Sequence, residues 1–422
     1  LDIRKSEIVK KCMAAAFFLI MTAAFYATAE YRGGLPALPV SARYAADVLV
    51  IGMGVLWILV TADFQRIRFL YSISMIMMVP IIGIGLISMV IWLVRCQETS
   101  FVIRGTINVV CLLLNILCAA AGYYMFGKKT VSYMLYASCA AVLVILIDLI
   151  RIHGAGSFLS EYIALITTFA DTTGPIMRKM ELHDLTQGLG VFVMYYLYCA
   201  KNKQWHAAEF ICAAFFFSTG LKRIDVLAIL AALMVGILYD AVPERTKTVF
   251  LAAIVSGMFL FSYLYLYLIK KGWYQPLMDY FGIDTMSRGY LYDFFKDYYE
   301  MSPGFLGYGI RYIFKIRNDY KTTGLGTYVP GMAHNDVMTH FIELGFWGFI
   351  YWLWGNTWYK VSAVRKKFGS RASLFMLLTV IYTFITYLTD NTFFYYSINI
   401  AAHITVIAYA DEHRLVRKED GL

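Results

Sequence analysis

The sequence predicts an all-α, polytopic membrane protein, and three observations carry that prediction. Long apolar runs recur along the chain from Met13 to Ala410. Hydrophobic residues make up 60% of the 422, and only 15% are charged, against about a quarter in a soluble domain. The segments between runs are mostly short and basic, as expected where helices satisfy their own backbone hydrogen bonds in lipid.

Twelve spans follow, at residues 12–29, 44–62, 70–94, 103–126, 131–150, 184–200, 205–219, 224–239, 248–269, 336–358, 373–389 and 393–410. The runs at 205–219 and 224–239 are short for a bilayer that takes about 20 apolar residues. "SFLSEYIALITTFA", 157–170, is too short and too polar to span, and reads as an amphipathic helix at the interface. The first run is followed by no small-residue cleavage site, so it reads as a retained span. The chain divides into N-terminal spans with an interfacial segment (1–180), spans around an outer turn (181–269), an external loop (270–335), and C-terminal spans with a tail (336–422).

Loop charge sets the orientation. With the N-terminus inside, the inner segments hold 20 of the 37 Lys and Arg, and 8 of the other 17 fall in the single long loop. Long loops weigh little in orientation, so both termini are expected on the cytoplasmic side. That leaves Arg151, Arg178, Lys179, Lys222 and Arg223 outside with no topological role. A guanidinium near hydrocarbon costs about 3 kcal/mol on insertion scales. Headgroup snorkelling is the plain account of any one of them, and an anion held at the outer surface accounts for all of them. The net charge of +9 agrees with acidic lipid or an anionic substrate. Nucleic acid is excluded as a partner, since no basic domain stands apart from the spans. The seven cysteines lie mostly within spans without CxxC spacing and read as small apolar residues.

The long loop is rich in aromatics and punctuated by Gly304, Gly307, Gly309, Gly324, Gly326 and Gly331. "MSRGYLYDFFKDYY" predicts a short amphipathic helix beginning near Ser287, with Arg288 in its first turn. "SPGFLGYGIRY" is a turn whose glycines let backbone approach a ligand. "GMAHNDVMTHFIELGFWGF" then re-enters the membrane, with Asn335 or Asp336 as N-cap. The loop's aromatics suit either an interfacial belt or stacking on sugars. On a continuous helix Glu343 would lie half a turn around from His334 and about 13 Å deeper. Asp336, His340 and Glu343 would share a face, expected to be a buried seam locking this helix to its neighbours. His334, at the entrance, is the residue expected to meet a substrate.

These residues resemble a known family. "HND…HFIELGFWG" is similar to the signature that closes the external loop in the bacterial O-antigen polymerase and O-antigen ligase superfamily. "STGLKRIDVLAIL" resembles its Ser/Thr-Gly-Ser-Arg turn, with Lys222 in place of serine and Arg223 at the arginine. "SRGYLYDFF" resembles its loop-helix arginine at Arg288, and "GFLGYGIRY" its Leu-Gly-x-Gly turn. The order of motifs covers about residues 180 to 400. The resemblance implies a GT-C-like fold and glycosyl transfer from an undecaprenyl-pyrophosphate-linked glycan on the outer face of the cytoplasmic membrane, without cofactor, nucleotide sugar or metal. It further implies His334 as the base and Arg223, Arg288, Arg311 and Lys222 on the pyrophosphate. Tyr308, Asn335 and Glu343 would bind substrate or support the site. The outer segments contain no Asp-x-Asp and no His-rich cluster, in agreement with the metal-free expectation. Expected partners are lipid-linked glycans as donor and acceptor, membrane lipid, and a flippase and chain-length regulator.

Within the family, a polymerase extends lipid-linked repeat units, whereas a ligase transfers glycan to lipid A core. The long aromatic outer segments suit two lipid-linked glycans and favour the polymerase. A flippase or transporter would carry mid-membrane charges and repeated halves, neither of which is evident here.

Overall fold

The computed structural model describes residues 7–29, 31, 33–168, 174, 176, 182–201, 206–220, 222–283, 285, 288–323 and 332–414. Arg178, Lys179, Ser287, Gly324, Gly326 and Gly331 lie outside the described residues. Among the described residues, all regular structure is helical.

The first half contributes α1 (Glu7–Thr28), α2 (Ser41–Thr61), α3 (Phe64–Val94), α4 (Thr99–Phe126), α5 (Lys129–His153) and the shorter α6 (Ala155–Thr168). Next come α7 (His183–Lys201), α8 (Ala207–Thr219), α9 (Arg223–Ala241) and α10 (Lys247–Lys270). The long loop holds α11 (Tyr274–Tyr280), α12 (Arg288–Phe295) and α13 (Tyr312–Thr323). The chain closes with α14 (Asp336–Trp354), α15 (Lys360–Phe368), α16 (Ser370–Tyr387) and α17 (Tyr396–His413). A helix therefore stands at each of the twelve expected spans, and α12 sits where the loop helix was expected. The helices α11 and α13 were not foreseen.

Eight helices among the described residues are long and apolar enough to cross a membrane: α1 to α5, α9, the stretch Glu244–Lys270 ending in α10, and α16. The other four expected spans, α7, α8, α14 and α17, fall outside that set for physical reasons. Helix α8 has 13 residues. Helices α7 and α17 pack against each other, and α17 also packs on α4 and α16. From Tyr396 to Ala410 nearly every side chain of α17 is buried, including Ser397, His403 and Thr405. A helix walled in by other helices need not be uniformly apolar, whereas the outermost helices must be. Accordingly, large exposed apolar side chains gather on helices such as α2, α9 and α10, with Leu59 75% and Leu260 69% exposed.

Polar contacts sort the helix ends into two groups, as expected when successive helices alternate in direction. One end joins the α1–α2 loop to α5 through Tyr31 and Asp148 (2.9 Å). It also joins Arg95 after α3 to the long loop at the Gly307 carbonyl (3.0 Å), and Lys222 before α9 to Asp390 after α16 (2.8 Å). The other end pairs Tyr123 with Asp411 (2.7 Å), Lys128 with Glu412 (3.3 Å) and Arg371 with Asp240 (3.2 Å). The first group is the one that loop charge assigns to the outside.

Small residues set the closest helix approaches. A Cβ at Gly188 in α7 would stand 2.9 Å from the backbone of Ser397 in α17, whereas one at Gly257 in α10 would meet nothing within 4 Å. Gly188→Ala should therefore push these central helices apart and cost about 1–3 kcal/mol. Gly257→Ala should be neutral or stabilise by about 1 kcal/mol through helix propensity. Melting temperatures of the two variants in detergent check this, and equal shifts would refute it.

Candidate active site

The site is built on a break in α14. Gly345 has φ +70° and ψ −174°, so the helical hydrogen-bond ladder is interrupted there. The loop closes the gap. The Glu343 carbonyl accepts from the backbone N–H groups of Tyr308 (3.1 Å) and Gly309 (2.6 Å), and Phe346 N–H donates to the Phe305 carbonyl (2.9 Å). Neither Gly345 nor Gly307 (φ +82°) can carry a side chain at this crossing. A Cβ on Gly307 would lie 2.4 Å from Gly345 N, and one on Gly345 would lie 2.3 Å from Leu306 C. The Leu-Gly-x-Gly and Glu-Leu-Gly motifs are thus the two halves of one backbone clasp. The end of α3 braces it: Arg95 Nε donates to the Gly307 carbonyl and its guanidinium sits 4.7 Å over the Tyr308 ring. Tyr308 in turn stacks on Tyr312 at 4.1 Å.

The clasp delivers Arg311, Phe314 and Arg317 to the wall of a cavity of about 690 Å³. His334, Asp336, Thr339 and Glu343 form a second wall, and Asn391, Phe394 and Tyr395 a third. The first half of the chain supplies Tyr31, Arg43 and Tyr44. Arg311 adopts a left-handed backbone (φ +78°). Burial pushes its guanidinium below the ordinary value, an effect the nearby Glu343 opposes.

His334 sits on a strained backbone (φ +47°), with Nδ1 3.2 Å from Asp390 Oδ1. Its side chain is 42% exposed and that of Asp390 4%. Asp390 also receives Lys222 Nζ (2.8 Å), the Tyr395 hydroxyl (3.0 Å) and Asn391 N–H (2.8 Å). With Nδ1 donating to the carboxylate, Nε2 presents a lone pair, the tautomer a general base requires. Asn335 caps α14, its side chain accepting from Met338 N–H (2.9 Å). Asp336 Oδ2 accepts from Phe393 N–H (2.7 Å).

The expected seam is partly corrected. His340 bonds its own helix at the Asp336 carbonyl and stacks on Trp352 at 4.4 Å. Glu343 Oε1 accepts from Ile313 N–H in the loop (3.3 Å) and shares the cavity with His334. Helical counting from His334 to Glu343 failed because α14 begins at Asp336, after an extended Asn335 (φ −164°). The cavity also runs down the helix beside the inserted loop.

Of the four expected cations, only Arg311 lines the cavity. Lys222 is committed to Asp390. Arg223 opens α9 beside it and is exposed, and Arg288 opens α12 and is half-buried. The Arg288 charge acts on the Tyr292 hydroxyl within the same loop helix. Sequence reasoning missed Asp390, Arg43 and Arg317. Asp390 had a signal, as an acid in the short turn between the last two spans, whereas Arg43 stands in no motif.

Residues 208–353 match the family described as O-antigen ligase. The match supports the O-antigen polymerase and ligase superfamily, and it contains Lys222, Arg223, Arg288, Arg311, His334 and Glu343. Arg43 and Asp390 lie outside it. No curated protein and no solved structure matches the chain.

Gly307→Ala and Gly345→Ala should each destabilise by about 2 kcal/mol or more, from left-handed strain and steric overlap together. Both should raise proteolysis within 300–312, because each opens the same clasp. A variant that melts like the parent and resists protease would show that the clasp does not hold the loop.

Proposed function

We propose that the protein is a membrane glycosyltransferase. It polymerises undecaprenyl-pyrophosphate-linked oligosaccharide repeat units on the outer face of the cytoplasmic membrane. The observation that carries this reading is His334, oriented by buried Asp390 at a large cavity with arginines on its wall. The polymerase is preferred to the ligase because the long aromatic outer segments and a cavity of about 690 Å³ beside His334 suit two lipid-linked glycans.

In the proposed step an acceptor hydroxyl attacks the anomeric carbon of the donor sugar. The proton passes to His334 Nε2 as the new C–O bond forms. The bond from the anomeric carbon to the diphosphate oxygen breaks, and the leaving diphosphate keeps the electron pair. Asp390 holds the ring and stabilises the imidazolium, while Lys222 pairs with the buried carboxylate. Arg223, Arg288 and Arg311 meet the charge that grows on the diphosphate, each hydrogen bond to it contributing about 1.5–3 kcal/mol. In-line displacement inverts the anomeric centre.

His334→Ala should abolish ladder growth from purified lipid-linked repeat units while leaving the protein folded. Asp390→Asn should slow it by about 10²–10⁴-fold, since the imidazole then loses its orienting anion. Normal turnover in His334→Ala would remove it as the base. Arg223→Lys and Arg288→Lys should each impair turnover severely, because the planar fork is lost though the charge is kept. Turnover should persist in EDTA; loss on chelation with rescue by magnesium or manganese would overturn the proposed cation chemistry.

A further inference from the structure

Arg43, in the first turn of α2, lies outside the matched family region and faces the same cavity as Arg311 and Arg317. Among the described residues none of the three has a carboxylate within ion-pair distance, and the Arg43 Nε is buried without a hydrogen-bond partner. The nearby acids are otherwise engaged, Glu343 Oε1 with Ile313 N–H (3.3 Å). Asp184 accepts from the N–H groups of Tyr396 (2.9 Å) and Ser397 (2.8 Å). Asp47 accepts from the Tyr396 hydroxyl (2.8 Å). One oxygen each of Asp336 and Glu343, with the Thr339 hydroxyl, is buried and unpartnered among the described residues. The cavity lining thus holds guanidinium donors together with acceptors for hydroxyl groups, Glu343 lying near Arg311, and the aromatic rings of Tyr44 and Phe314 also line it.

We propose that this cavity is a glycan subsite for a sugar bearing an oxyanion. Arg43, Arg311 and Arg317 hold the anionic group, and Asp336, Thr339 and Glu343 accept the sugar hydroxyls. The inference rests on the glycosyltransferase reading and adds to it that the first half of the chain selects the glycan. Three guanidiniums around one space repel each other until an anion enters, and planar forks suit phosphate and carboxylate alike. Carboxylate oxygens left unbonded in a closed site are matched by sugar hydroxyl donors.

The test is saturation-transfer NMR on the full chain in detergent with glucose 1-phosphate, glucuronate and glucose as probes. The two anions should bind in competition with each other, and glucose at least tenfold more weakly. Arg43→Gln and Arg317→Gln should each weaken anion binding by about tenfold, Arg43→Lys by less, and Lys366→Gln, at the opposite end of the bundle, not at all. Preference for glucose 1-phosphate identifies a phosphate of the lipid carrier as the natural anion, and equal binding of glucuronate an acidic sugar. Glucose binding as well as the anions, or Arg43→Gln and Arg317→Gln binding like the parent, overturns the subsite. Should Arg43→Gln fail to fold, Arg43→Lys and Arg317→Gln decide alone. If the anion contrast holds but no lipid-linked glycan is ever extended, the subsite stands and the polymerase reading falls.

Discussion

The hydrogen bonds that the α14 break opens, and the loop closes, are the constraint on which the site depends. A helix interrupted among apolar neighbours leaves carbonyl and N–H groups that cost several kcal/mol each if unpaired. Here the Glu343 carbonyl and the Phe346 N–H are both satisfied by loop residues 305 to 309. The loop is therefore built into the bundle's own hydrogen-bond accounting, and Arg311 and Ile313 come to Glu343 as a consequence. Backbone pairing at a glycine crossing tolerates no drift, which gives the side chains that follow a fixed origin.

The His334–Asp390–Lys222 chain adds a second constraint of a different kind. Its members come from three separate connections: the α8–α9 turn, the segment entering α14, and the turn between α16 and α17. Asp390 is almost wholly buried and gathers a lysine, a tyrosine hydroxyl, a backbone N–H and the histidine. A buried carboxylate with so many donors is tolerated only when all of them arrive together. The set ties together the ends of α8, α9, α14, α16 and α17, and a helix shifted by one turn would break it.

Much of the fold was legible because lipid-facing helices must be apolar, and hydropathy alone marks where they stand. Hydropathy says less about helices the bundle encloses, which is why polar α7 and α17 differ in character from α2 and α10. The candidate site was legible where motif and backbone need coincide, as at Asn335, whose capping role is local, and at the glycines of the clasp. It was illegible where proximity is tertiary. "FIELGFWGF" reads as unbroken helix, and nothing in it says that a loop crosses at Gly345. Arg43 and His334 are far apart along the chain, and the contacts of Asp47 and Tyr44 in α2 with Tyr396 at the start of α17 help bring them to one cavity.

The two halves of the chain consequently hold the site by different means. The side built on the clasp and the His334–Asp390 pair is fixed by backbone hydrogen bonds and a buried ion network. The first half meets the cavity through side chains on separately anchored helices. Asp148 ties Tyr31, Gly34 and Arg151 together, and Asp47 and Asp184 fasten α2 and α7 to the start of α17. Arg43 belongs to neither the clasp nor the His334–Asp390 network. On the proposed reading, a subsite made this way would change the glycan it accepts while the chemistry stays as it is, separating recognition from reaction within one cavity.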